Sequence, residues 1–95
     1  MSSMSIKINA MSELGHYLGW KQKEVSVENQ TIRTILIDLA SQEQFQEKVY
    51  DPVEDALRAG VVILVNGRNI LQLEYLDTIL SENTDLTIYY PLGGG

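Results

Sequence analysis

The segment of this 95-residue chain with the clearest chemical potential is its end, Pro91-Leu92-Gly93-Gly94-Gly95. Glycine has no Cβ, so a run of it can enter a narrow channel and leave the last carbonyl open to attack. Four residues past the proline can project roughly 13 Å at about 3.3 Å per residue, enough to carry Gly95 into a buried active site while a folded body stays outside. A carboxylate is by itself a poor acyl donor, because its charge repels nucleophiles and oxide is a bad leaving group. Adenylation by a partner enzyme that uses ATP would remove both obstacles. The activated carbonyl could then be attacked by sulfur, giving a thiocarboxylate, or by a lysine amine, giving an isopeptide bond. A glycine run alone is commonly a passive end. Here it follows a strand pattern with no intervening loop, and that placement singles it out.

Other groups offer less. His16 is the sole histidine and has no second ligand or nucleophile near it in sequence, so it reads as a loop side chain. The acidic pairs Asp38/Glu43, Glu54/Asp55 and Glu82/Asp85 lack the ligand spacing of a calcium or magnesium site and read as solvated charge. The sequence contains no P-loop, nucleophile elbow or zinc pattern. No catalytic residue, metal ligand or bound cofactor is therefore assigned; ATP enters only through the activating partner. Without cysteine the chain can form no disulfide and no thioester of its own, which fits a reducing cytoplasm. Thirteen acidic against seven basic side chains give a net charge of −6, which disfavours nucleic acid and anionic lipid and suits a protein partner with a basic surface. No apolar run approaches the roughly 18 residues of a membrane span, and the polar start MSSMSIK lacks a signal peptide's apolar stretch.

The elements that must hold the tail follow from periodicity. Ile6, Ile8 and Ala10 alternate with Lys7 and Asn9 in a first strand, and Glu24 to Glu28 alternate in a second. Between them Ser12 to Lys23, with Gly15 and Gly19, reads as a hairpin connection whose Leu14, Tyr17, Leu18 and Trp20 lean onto the core. Ile32, Ile35, Leu36 and Leu39 mark the main helix, capped by Thr31. Ser41 and Gln44 suggest a capping box for a short second helix carrying Phe45 and Val49. Asp51-Pro52 resembles a further helix start that Gly60 would end. Val61 to Val65 reads as a strand covered on both faces, Asn66-Gly67 as a tight turn, and Asn69 to Glu74 as the returning strand. After an irregular turn at Leu76 to Leu80, Leu86, Ile88 and Tyr90 alternate in the last strand. The order predicts an α+β fold, a mixed four- to five-stranded sheet with one main helix across one face. If the last strand lies beside the first, this is the ubiquitin-like β-grasp, with residues 1–91 as domain and 92–95 as flexible tail.

Val62-Ile63-Leu64-Val65-Asn66-Gly67-Arg68 and the stretch from Leu76 to Gly95 resemble the C-terminal half of the MoaD and ThiS family of sulfur carriers. Thr31-Ile32-Arg33-Thr34-Ile35-Leu36 resembles that family's helix start. Two departures stand out: Glu82-Asn83-Thr84-Asp85 occupies a loop where the family usually has glycine, and Gly93 adds a third glycine to the tail. The resemblance implies a ubiquitin-activating-type adenylating enzyme and a sulfur acceptor, such as the molybdopterin synthase large subunit, as partners. It maps the acyl-carrying glycine onto Gly95 and its predecessor onto Gly94. Tyr89, Tyr90 and Leu92, close to the tail, and Arg68, after the turn, are candidate partner contacts. Alternation sends Tyr89 and Tyr90 to opposite faces, so one of them should be core. Two other readings remain open: a protein modifier joined to target lysines through the same glycine, and a non-covalent β-grasp interaction module.

Overall fold

Why the alternating segments become strands is visible in their burial. A computed structural model describes residues 4–27 and 31–90, and in it Ile6, Ile8, Ala10, Leu86 and Ile88 are all buried while Lys7 and Asp85 are exposed. The period of two thus puts one face of β1 (Met4–Ala10) and of β7 (Asp85–Tyr89) into the core. These two strands pair in parallel, with Ile8 opposite Leu86 and Ala10 opposite Ile88. β2 (Gln22–Val27) pairs antiparallel on the outer side of β1, and β5 (Val62–Val65) antiparallel on the other side of β7. The sheet is completed by β6 (Arg68–Asn69), giving the order β2-β1-β7-β5-β6. Last strand beside first, with a helix between the two edge hairpins, is the ubiquitin-like β-grasp.

The covering layer starts at α2 (Ile32–Leu39), whose four apolar residues at helical spacing are all buried. Thr31 caps it, its side chain accepting from the Thr34 amide at 3.4 Å, and its amphipathic face meets the sheet as the periodicity requires. α3 (Glu43–Lys48) adds Phe45, and Val49 and Tyr50 follow it into the core. The Asn66-Gly67 turn has φ of 51° and 85°, the positive pair that lets two residues reverse a right-twisted hairpin.

Several local readings are corrected. The connection after β1 contains a helix, α1 (Ser12–Leu18), rather than only loop. Gly15 lowers its intrinsic propensity, but Leu14 and Leu18 lie one turn apart and are both buried, and packing outweighs the penalty. Tyr17, on the other side, is 42% exposed and is not core. Ser41 does not cap α3; Gln42 takes the cap position without a side-chain cap bond, because its amide is engaged elsewhere, accepting from Trp20 Nε1 at 3.0 Å and donating to the Leu18 carbonyl at 2.7 Å.

No helix follows Asp51-Pro52. Asp51 Oδ1 does accept from the amides of Val53 and Glu54, the geometry of a helix start, but Asp55 turns left-handed at φ 54° and the chain reverses. The result is a two-stranded hairpin of β3 (Tyr50–Asp51) and β4 (Ala56–Leu57). Asp55 is held there by long-range bonds: it accepts from the buried Tyr50 hydroxyl at 2.6 Å and from Arg33 Nε at 2.9 Å, while Arg33 also donates to Asp77. β5 is covered on one face only, Ile63 being buried and Val62 and Leu64 half-buried, because the helices lie on a single side. Its return strand stops at Asn69, whose side chain accepts from the Leu71 amide and starts a 3-10 turn, Ile70–Gln72, that puts Ile70 into the core. The expected tail, residues 92–95, lies outside the described residues.

Two outcomes follow. A Cβ at Gly15 would lie 2.6 Å from the Ala10 carbonyl oxygen, so helix and strand meet backbone to backbone. Gly15→Ala should therefore lower stability by about 1–3 kcal/mol, as overpacking does, despite alanine's better helix propensity; thermal unfolding measures it. The bonds from Arg33 and then Tyr50 hold the Asp55 carboxyl below its ordinary value of 3.8. A depressed carboxyl contributes stability above its unfolded pKa and loses it as pH falls through the folded one. Urea midpoints of the parent should thus decline on the acid side of pH 3.8, and Asp55→Asn should flatten that decline.

Candidate functional site

The face of the sheet that carries no helices is divided in two. On β1 and β2 it presents Ser5, Lys7, Asn9, Gln22, Glu24 and Ser26, placed opposite one another by the antiparallel register. Four of the six are bonded within this surface: Ser5 Oγ donates to Glu24 at 2.6 Å, Gln22 to Asn9 at 2.8 Å, and Asn9 to Asp85 at 3.1 Å. On β7 and β5 the same face presents Tyr89 opposite Val62 and Thr87 opposite Leu64, all half-buried. The polar half is a hydrogen-bonded surface that gains little from a partner, whereas the Val62–Leu64–Tyr89 half leaves apolar area that a partner could cover.

That apolar half is also where β7, the strand before the tail in the sequence, comes to its end. β7 ends at Tyr89, the residue beside Val62, and Tyr90 turns to the helix side of the sheet. There its hydroxyl donates to the Lys48 carbonyl. Tyr17 stands nearby, donating to Glu47 at 2.9 Å with its ring 5.2 Å from the Lys48 ammonium. The Glu47 bond, with some burial, pushes the Tyr17 phenol above its ordinary range, so it keeps its proton at neutral pH. Neither tyrosine is core: Tyr89 is half-buried on the open face and Tyr90 is 36% exposed, which corrects the expectation that one of the pair would be buried.

Arg68 is not brought to this place. It pairs with Val65, at the opposite end of β5 from Val62 and Tyr89, and is exposed beside the Asn66-Gly67 turn. Leu92, Gly93, Gly94 and Gly95 fall outside the described residues. His16 lies exposed on α1, lining an open cleft of about 720 Å³ with Glu13, Lys21 and Gln22. Among the described residues no group of three or more His, Asp or Glu side chains could hold a metal ion, and no helix is long and apolar enough to cross a membrane.

A sequence model of the ThiS family matches residues 7–95. The chain belongs to the ThiS family. No curated protein sequence matches it significantly. Among solved structures, this ThiS-family chain is similar to the small archaeal modifier protein 1 of Methanosarcina acetivorans, at 22% identity and a TM-score of 0.82 with both chains fully covered. It is also similar to a putative molybdopterin converting factor subunit 1 from Pyrococcus furiosus, at 24% identity and a TM-score of 0.73, over 95% of this chain and 100% of that one. The BexX/CysO complex of Amycolatopsis orientalis supplies a third likeness, at 19% identity and a TM-score of 0.72, over 95% and 99% of the two chains. At these identities the likeness establishes the shared β-grasp fold.

The sequence reading missed Val62 and Leu64 as surface residues of this ThiS-family sheet. The signal was present: a single main helix cannot cover two faces, so every second residue of β5 had to lie on the open one. The face assignment has a direct check. Ile63→Ala should cost about 2–5 kcal/mol, as deletion of a buried aliphatic side chain does, while Leu64→Ser, one residue on, should cost less than half as much in urea unfolding.

Proposed function

We propose that this ThiS-family chain is a ubiquitin-like sulfur carrier whose working group is the carboxylate of Gly95. The observation that carries the proposal is that β7, the strand the glycine segment follows in the sequence, ends beside the apolar Val62–Leu64–Tyr89 face. A partner that covers that face receives the tail at the edge of the same contact, so docking and delivery are one event. The folded body then supplies recognition, and the tail supplies the acyl group.

The chemistry belongs to the partner. An adenylating enzyme of the ubiquitin-activating type joins the Gly95 carboxylate to the α-phosphate of ATP and releases pyrophosphate. A sulfur nucleophile then displaces AMP, leaving a C-terminal thiocarboxylate that donates its sulfur to an acceptor. For the acceptor we propose the large subunit of molybdopterin synthase, in keeping with the name of the Pyrococcus furiosus relative. A lysine amine displacing AMP from the same adenylate would give an isopeptide bond instead. The name of the Methanosarcina acetivorans relative favours that as the second reading. Both readings need a glycine-ended tail free of bulky side chains and a body that docks without catalysing.

Protein purified from its native cell should carry a terminus heavier by the difference between sulfur and oxygen when intact mass is measured. Glycine remnants on lysines of other proteins, with no such mass gain, would sustain the modifier reading and sink the carrier one. Removal of Gly94 and Gly95 should abolish ATP-dependent activation by the cognate adenylating enzyme while leaving the unfolding midpoint unchanged. Activation that survives the deletion would refute both, as would a native chain that continues past Gly95 without processing.

A further inference from the structure

The pairing of β7 with β5 ends at Tyr89 opposite Val62, yet the next residue is also held. Tyr90 donates its hydroxyl to the carbonyl of Lys48, the last residue of α3. Carbonyls in a helix's final turn have no intrahelical donor, so this bond satisfies a group that would otherwise need water. The Tyr90 ring lies over Gly60, where a Cβ would sit 3.6 Å from ring carbon Cδ1. Gly60 has φ 86°, a left-handed angle that glycine adopts without strain, and its bare backbone forms the floor under the ring. Burial pushes the phenol above its ordinary range, with Arg58 opposing, so at neutral pH it remains a donor.

A core role does not account for these contacts. The ring is 36% exposed and fills no interior space. What the contacts do is extend the fixed path of the chain by one residue beyond the sheet, to the position just before Pro91. Proline restricts its own φ and disfavours the helical region for the residue preceding it. The anchored residue and the residue of restricted φ are thus adjacent in the sequence, immediately ahead of Leu92 and the glycines.

We propose that Tyr90 is a positioning residue for the glycine tail, its hydroxyl on the Lys48 carbonyl and its ring on Gly60 setting the direction in which the tail leaves the Val62–Leu64–Tyr89 face. This rests on the carrier reading above. A partner must accept the face and the tail together, so the affinity it shows is reduced by whatever fraction of molecules has the tail misdirected. Release of the anchor lets the chain pivot one residue earlier, at Tyr89, and lowers that competent fraction. Once the tail is seated the chemistry is unaltered, so the effect belongs to KM and not to kcat.

The test uses the full chain with its adenylating enzyme and ATP, read by pyrophosphate exchange, together with amide relaxation of residues 88–90 by NMR. Tyr90→Phe keeps the ring and loses the donor; it should raise KM about 2- to 10-fold, the range expected for one hydrogen bond, with kcat retained. Tyr90→Ala should raise KM further and give the 89 and 90 amides fast motion absent from the parent. Parent-like KM in both variants, a loss confined to kcat, or relaxation at 88–90 that Tyr90→Ala leaves unchanged would each overturn the proposal. A parent chain that is never adenylated would instead count against the carrier reading, and the relaxation measurements would still decide whether Tyr90 holds the root of the tail.

Discussion

β7 is clamped on both sides, by β1 in parallel and by β5 antiparallel, and its inward side chains Leu86 and Ile88 are completely covered. A strand in that position cannot slip: a shift of one residue would turn Leu86 and Ile88 out to solvent and bring Thr87 and Tyr89 into the core. Transfer of two such aliphatic side chains to water costs about 1.5–3 kcal/mol each, a large share of the stability of a domain this small. The register of β7 is therefore secure to its last residue, and with it the place where the chain leaves the sheet. The central strand is also the segment that the glycine run follows in the sequence, so the pairing of the sheet fixes the root from which that run starts.

That rigidity also sorts the open face. Because β1 and β2 present polar side chains that bond to one another, and β7 and β5 present Val62, Leu64, Thr87 and Tyr89, the unpartnered surface is concentrated next to the tail. The acidic excess of the chain is consistent with this division. Part of it is committed inside the fold, Asp55 and Asp77 to Arg33 and Asp51 to Arg58, at sites 22–71% exposed where each ion pair contributes modestly. Their role is geometric. The Arg33 guanidinium ties α2 to the β3–β4 hairpin and to the 3-10 turn at Tyr75–Asp77, three elements that share little backbone pairing.

The errors of sequence reading have a common form. Asp51 shows the local bonds of a helix start, and nothing within four residues says that the chain will reverse instead; Asp55 does so under bonds from Tyr50 and from Arg33, the latter 22 residues away. Gly15 and Gly19 look like loop glycines, but Gly19 closes α1 at φ 87° and Gly15 is where α1 rests on the end of β1. Ser41 is a better cap residue than Gln42 by type, yet Gln42 holds the position because Trp20 and Leu18 engage its amide. In each case a contact distant in sequence overrode a preference that the neighbouring residues set correctly.

By itself the sequence determined the alternating strands β1 and β7, the capped and amphipathic α2, the Asn66-Gly67 reversal, and the glycine run after the last strand. All of these depend on interactions within a few residues or on a period that burial of one face imposes. Only the tertiary structure decided which alternate set of β5 faces outward, Val62 and Leu64 and not Ile63, that Arg68 lies at the far end of β5 from Tyr89, and that Tyr90 is tied to a carbonyl 42 residues before it. Those outcomes depend on which face the helices cover and on which chain segments the β1–β7 pairing brings together, and neither is encoded in the spacing of nearby residues.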